Sequence, residues 1–514
     1  MTRTTTPLCT AVSGAITLLR TALKLALFTA LGFACALAAP AARAAAPRSA
    51  APAPAPPPSA PAAPAALTFT SLQLAEARAL RDRALQDDTG YELLRSLTSR
   101  VGPRFAGTPG DSAAVAWALE QMRTLGFQNV RAERVKVPSW RRGECRVELV
   151  SPWPQTCAAV ALGGSVATPP GGIEAEVVPV TNLDELARID STRLAGRIVF
   201  FTGRMTRATD GSGYGRAVTV RGRGAVEAAR RGALGVVIRS VGTDRNRLPH
   251  TGGMRPDSGD TRIPALALSN PDADLLEDQL ASGRPVRMRL TNSSRWADST
   301  WSANVIGEIP GRELPRELVV LGAHLDSWDL GTGAHDDGAG VAIMTAAARL
   351  IGEARQRPRR TIRVVLFANE EFGLSGARAY AREHASEADR HVLGMESDLG
   401  AYAPLGLRSR VPADRLPAIR QMQSVLAPLG VEYRGNDASG DADVGQLVPL
   451  GIPVCDLDTD ASEYFDLHHT ANDTFDKVDP LLVRRNVACY AALAWLAADL
   501  PAGFGRAPAA PARR

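Results

Sequence analysis

Cysteine is scarce in this chain of 514 residues: there are six, and two of them, Cys9 and Cys35, stand within the first 44 residues. That excludes a disulfide-dense scaffold. A surplus of one charge is also missing. Lys and Arg number 59 against 54 Asp and Glu, and Arg3, Arg20, Lys24 and Arg43 all precede residue 45, where no acid stands. Without those four bases the chain is near neutral, so its apparent basicity is no argument for a nucleic-acid partner. Long apolar runs are confined to the N-terminus. Leu25 to Ala39 follows basic residues and leads into Ala42-Arg43-Ala44, which predicts an export signal over 1–44 with an A-x-A cleavage site. The run is shorter than the roughly 20 residues a membrane span needs, which disfavours a retained anchor. Gly-Phe-Ala before Cys35 is a poor lipid-attachment context. The expectation is a soluble product after signal removal, periplasmic or extracellular.

Four cysteines remain: Cys145, Cys157, Cys455 and Cys489. An oxidising compartment and their short separation predict a Cys145–Cys157 disulfide, and Cys455 reads as a small core residue. Residues 45–66 are almost all Ala and Pro and predict an extended linker. The stretch 501–514 has the same character and predicts a disordered tail.

Folded sequence starts near Leu67. Helical spacing over 72–85, 90–101 and 111–125 is followed by strand-like alternation over 129–136. Strands are expected at 302–308, 317–322, 362–368, 391–396 and 452–457, and helices at about 340–352, 373–384, 411–429 and 480–498. The fold class is therefore α/β: a mixed, mainly parallel sheet flanked by helices. Between 153 and 298 the rhythm changes. Gly196-Arg-Ile-Val-Phe-Phe, Ala228-Ala-Arg-Arg-Gly-Ala-Leu-Gly-Val-Val-Ile and Ile263-Pro-Ala-Leu-Ala-Leu-Ser resemble the inserted, mainly-β protease-associated (PA) domain. The catalytic unit would then comprise 67–152 and 299–500. His250 stands alone in the insertion and reads as a surface or satisfied residue.

The chemistry gathers where apolar runs end. Leu318 to Leu321 is followed by His324 and Asp326, then by a Gly-rich loop and Asp336-Asp337. Imidazole and carboxylate at the carboxyl ends of parallel strands are the donors of a metal site. Ile362 to Ala368 ends in Glu370-Glu371, where folding gives no reason for two adjacent anions; one can bind metal while its neighbour accepts a proton. Asp398 follows another strand, and His468-His469 stand before the last helix. Singly, each of these could be a solvated loop, a turn or a helix cap.

Together these residues resemble the co-catalytic zinc aminopeptidase family, over about 70–500. The likeness is greatest to its plasma glutamate carboxypeptidase branch, which shares the PA insertion and a Met-Glu-Ser-Asp stretch like Met395 to Asp398. The resemblance implies two Zn2+ per chain, with other divalent metals possible: His324, Glu371, Asp398 and His469 as metal ligands and Asp336 as the bridge. It further implies Glu370 as general base, Asp326 as the group orienting His324, and a cis Asp336–Asp337 peptide. The pattern His-Thr-x-x-Asp-Thr selects His469 over His468, and His468 then stands where some relatives place an oxyanion-stabilising Tyr. The implied activity is exopeptidase cleavage of peptides or dipeptides with a free N-terminus, by a possible homodimer. A single-zinc aminoacyl cyclase or a receptor-like binding protein would lack part of this set, and none is missing.

Overall fold

The computed structural model describes residues 67–509; the expected signal (1–44), the linker (45–66) and residues 510–514 lie outside them. The described residues form one compact unit built on two eight-stranded sheets. In the first sheet the strands run in the order Gln128–Arg141, Arg295–Ile309, Arg360–Phe367, Leu314–His324, His391–Glu396, Val454–Thr459, Pro404–Arg410, Glu432–Gly435. Leu314–His324 pairs parallel with both Arg360–Phe367 and His391–Glu396, and Val454–Thr459 continues that direction. Every residue of Arg360–Phe367 and of His391–Glu396 is buried, as expected of strands covered on both faces. Alternate side chains serve opposite faces. Val319, Leu321, Ile362 and Val364 pack under Ala339–Gly352 and Pro480–Asp499, while Val320, Val365 and Phe367 meet Ala377 and Tyr380 of Ser375–Glu383. Pro480–Asp499 is long and apolar enough to pass for a membrane span, yet it is buried in this core.

The second sheet is inserted into the first. Gln128–Arg141 and Arg295–Ile309 pair antiparallel as far as Arg141 opposite Arg295, so the chain leaves and re-enters the first sheet at adjacent points. Between them lie eight strands ordered Gln155–Cys157, Cys145–Ser151, Arg287–Asn292, Ile173–Val180, Ile198–Phe201, Gly235–Arg239, Ala265–Leu268, Ala159–Ala161. The sheet thus begins at Cys145, ahead of the expected boundary at 153. Cys145–Ser151 has the alternation of the strand before it and gives no change of rhythm. The long helix of this stretch spans Gly213–Ala229 and carries glycines at 213, 215, 222 and 224, so packing rather than intrinsic propensity holds it.

Two expectations are corrected. Cys145 and Cys157 are both free. Val147 lies opposite Cys157, which makes the two cysteines a diagonal pair, about 7–8 Å apart at Cα in such a ladder and too far for a bridge. The Cys145 thiol instead donates to the Ala159 carbonyl, with 3.4 Å between Sγ and O. Nor are residues 501–509 a free tail. Phe504 is fully buried in the main core, the Ala507 N–H donates to the Gly451 carbonyl at 2.9 Å, and Arg506 pairs with Asp389.

Candidate metal centre

Parallel strands deliver their carboxyl ends to one edge of the first sheet. His324 is the last residue of its strand and lies opposite Phe367, so the turn carrying Glu370 and Glu371 starts beside it. Asn369 makes that turn with φ +58°, and its amide bonds Phe372 O and Ser375 Oγ; a short amide side chain tolerates this left-handed backbone. On the other flank Glu396 pairs with Gly322, which carries Asp398 to the same edge.

Asp336 stands at the centre. Its Oδ1 lies 3.1 Å from His324 Nε2, which is also 3.2 Å from Asp398 Oδ1. Its Oδ2 lies 3.2 Å from His469 Nε2, itself 3.0 Å from Glu371 Oε2. The five metal ligands named from the sequence are therefore together, as two sets joined by one carboxylate. The Asp336–Asp337 peptide is cis. Asp337 ties strand to helix: Oδ2 accepts the His324 N–H at 3.1 Å and Oδ1 the Gly340 N–H at 2.9 Å. Gly340 is required there, since a Cβ would lie 2.0 Å from the Ser397 carbonyl.

The ring nitrogens show what these residues fit. His324 Nδ1 faces the Asp326 carbonyl at 3.0 Å and His469 Nδ1 faces the Thr251 carbonyl at 3.2 Å. Carbonyls only accept, so each Nδ1 carries a proton and each Nε2 is turned toward two carboxylates. A lone pair aimed at two anions is tolerable only with a cation between them. For His469 a proton is disfavoured, because burial lowers its pKa further than Asp336 restores it. For His324 burial acts in the same direction, but Asp398 and Asp336 hold the ring well above its ordinary value. Asp336 Oδ2 and Glu371 Oε1 are also buried without a hydrogen-bond partner. Divalent cations fit this donor set.

Glu370 makes none of these contacts. Its N–H donates to Asp326 Oδ1 at 3.0 Å, and burial, then the charges of Asp398, Glu371 and Asp326, push its carboxyl well above the usual range against the opposing pull of His324. The Asp326 carboxylate is 3.8 Å from His324 Nδ1, farther than its own carbonyl, so the ring is held chiefly by main chain. His468 stacks on His469 with ring centroids 3.5 Å apart, and its Nε2 is 3.7 Å from Asp336 Oδ2.

Sequence reasoning missed two supports. Asp473 accepts the N–H groups of Ala334, His335 and Asp336, and burial raises its pKa to about 7; its place in His469-Thr-Ala-Asn-Asp-Thr was the available signal. Arg104, fully buried, donates to the carbonyls of Leu325, Thr332 and Gly333, and no sequence signal marks it. The centre opens into a cavity of about 730 Å3 shared with the inserted stretch, whose walls include Arg221, Arg262, Phe372, Arg378 and Tyr464.

Fold and site together define a metal-dependent hydrolase. The family model "Peptidase family M28" matches residues 304–494. Mouse carboxypeptidase Q is 34% identical over 411 residues, 80% of this chain and 86% of its own length. A peptidase M28 precursor from Shewanella amazonensis SB2B, known as a crystal structure, is 46% identical with a TM-score of 0.84 over 85% of this chain and 99% of that one. A zinc aminopeptidase from Bacillus subtilis shares the fold at 19% identity, with a TM-score of 0.59 over 82% of this chain and 97% of its own. The chain belongs to peptidase family M28 and is a metallo-exopeptidase acting on peptides.

Proposed function

We propose that the chain is an exported exopeptidase that holds two Zn2+ ions, removes N-terminal residues or splits dipeptides, and uses Glu370 as general base. The division of Asp336 between two donor sets carries this reading: His324 and Asp398 would hold one ion, Glu371 and His469 the other, and Asp336 both. Bound zinc supplies a water acidified toward neutrality and polarises the scissile carbonyl. Glu370, beside the donor set but making none of its contacts, would take a proton from the attacking water as its oxygen bonds the scissile carbon, and would return that proton to the amine as the C–N bond breaks. Asp326 positions Glu370 through its main-chain N–H. The anionic edge receives a free α-ammonium group, and the arginines of the cavity suit the carboxylate of a short substrate. The inserted sheet serves as the PA domain. His468, stacked on His469 and held well below its ordinary pKa by burial, would donate to a developing oxyanion.

The test is hydrolysis of free dipeptides and aminoacyl amides, with N-acetylated controls, by wild type and Glu370→Gln, with bound zinc quantified in both. Two ions per chain, turnover of free amines only, and a loss of about 10²–10⁴-fold in the variant at unchanged metal content are expected. One ion or none, or a variant that keeps its turnover, overturns the proposal.

A further inference from the structure

His250 belongs to the inserted stretch, yet its ring reaches the metal edge. The side chain is fully buried and lies on Gly242, where a Cβ would come within 2.2 Å of the ring. Its Nδ1 is 2.7 Å from the His468 carbonyl and therefore donates to it; its Nε2 is 2.6 Å from Asp244 Oδ2. Asp244 is fixed in turn, with Oδ1 accepting the Asn246 N–H at 2.6 Å. The next residue completes a clamp. The Thr251 N–H donates to the His469 carbonyl at 3.0 Å, and the Thr251 carbonyl accepts from His469 Nδ1 at 3.2 Å. Upstream, the Thr243 N–H donates to Phe465 O at 3.1 Å and its hydroxyl to Asp466 Oδ1 at 2.7 Å. His469 has φ +63°, a left-handed backbone that persists only where the surroundings hold it. Those surroundings come from the insertion.

We infer that His250, oriented by Asp244, is a positioning residue for the metal centre: it pins the His468 carbonyl, so that His469 points Nε2 at Asp336 and Glu371 while Thr251 sets the ring's tautomer. The inference rests on His469 being a ligand. It also makes the centre asymmetric. His324 is fixed by Asp326 and Asp337, both in the segment that follows its own strand, whereas the His469 side depends on the insertion. An outer group that orients a ligating imidazole typically changes metal affinity 10–100-fold.

The experiment is zinc titration against a chromophoric chelator for the full chain carrying His250→Ala, Asp244→Asn, His250→Asn or His469→Ala, with circular dichroism to confirm folding. His250→Ala and Asp244→Asn are expected to weaken one of two ions about 10–100-fold and leave the other unchanged. His250→Asn, which keeps an N–H near the Nδ1 position, restores most of that loss, as a purely structural defect would not. His469→Ala is the reference and must weaken the same ion. If His469→Ala binds both ions like wild type, the ligand assignment fails. If it loses one while His250→Ala and Asp244→Asn keep both, or if those two weaken both ions equally, the positioning role is overturned. Should His250→Ala not fold, Asp244→Asn and the Asn rescue decide the matter.

Discussion

Ile198–Phe201, Gly235–Arg239 and Ala265–Leu268 of the second sheet are buried along their whole length, as are Arg360–Phe367 and His391–Glu396 of the first. Both groups run parallel and both are apolar in the main. They diverge just beyond their ends. The second sheet turns through Thr202, Ser240 and Ser269, small hydroxyls whose bonds serve the local backbone: Ser240 Oγ donates to Leu268 O at 2.6 Å, and Ser269 caps the helix Asn270–Ala281. The first sheet turns through His324, Glu370, Glu371 and Asp398. Among the described residues, buried polar atoms without partners gather there too: Asp326 Oδ2, Asp336 Oδ2, Glu371 Oε1 and both oxygens of Asp443, against Arg221 Nε and Gln279 Oε1 in the inserted stretch. The turns after the second sheet's strands bond their own backbone, whereas those after the first leave carboxylate oxygens unpartnered. Strand chemistry makes the scaffold; the residues just past each strand decide what it does.

Metal removal should break this contrast most strongly. On the two-ion reading, a ligand at a thousandfold excess over its Kd stabilises by about 4 kcal/mol, so two ions contribute about 8 kcal/mol. Exhaustive chelation is expected to abolish turnover and to lower the denaturant midpoint, with hydrogen exchange rising at the turns after Phe367 and Glu396 while Ile198–Phe201 stays protected. Uniform loss of protection in both sheets would show that the metal edge is not the seat of the difference.

Phe200→Ala attacks the other side of the comparison. Phe200 is fully buried in the second sheet, against Val237 and Met288, and such a truncation costs about 3–5 kcal/mol. The expected result is a lower denaturant midpoint with kcat on a dipeptide unchanged well below the unfolding transition. A fall in kcat at full folding would mean that the interior of the insertion, and not only its clamp on His468 and His469, is tied to the site.

Much of the first sheet was legible because apolar runs stop abruptly at charge. The strands expected at 317–322 and 362–368 became Leu314–His324 and Arg360–Phe367, and the donors read at their ends meet in space. What stayed hidden depended on distance or on weak local pattern. Pro404–Arg410 and Glu432–Gly435 are short and carry Gly, Pro and Arg, which reads as loop. His250 reads as a bystander in sequence because its partner carbonyl lies 218 residues away. Arg104 contacts only main-chain carbonyls, so no neighbouring residue type announces it. The cysteine pair failed on register: proximity in sequence says nothing about which residue of a ladder faces which.

The smallest effect concerns a buried carboxylate that the metal edge does not use. Asp111, near the start of the helix Pro109–Thr124, accepts the Gly107 N–H at 2.8 Å and the Ser302 hydroxyl at 2.8 Å. Burial nevertheless raises its pKa to about 6, from an ordinary 3.8, with the Asp326 charge adding to it. A carboxyl whose folded pKa is raised binds its proton more tightly in the native state, so its contribution is fully present below about pH 4 and is lost as pH rises through 6. Asp111→Asn mimics the protonated form: its amide oxygen can accept from Gly107 and its NH2 can donate to Ser302. The variant should match wild type at pH 4 and exceed it by on the order of 1–3 kcal/mol at pH 8, read from urea midpoints at the two values. Equal midpoints at pH 8 would mean that Asp111 is held ionised by its bonds from Gly107 and Ser302, and the contrast between used and unused buried acids would lose its simplest case.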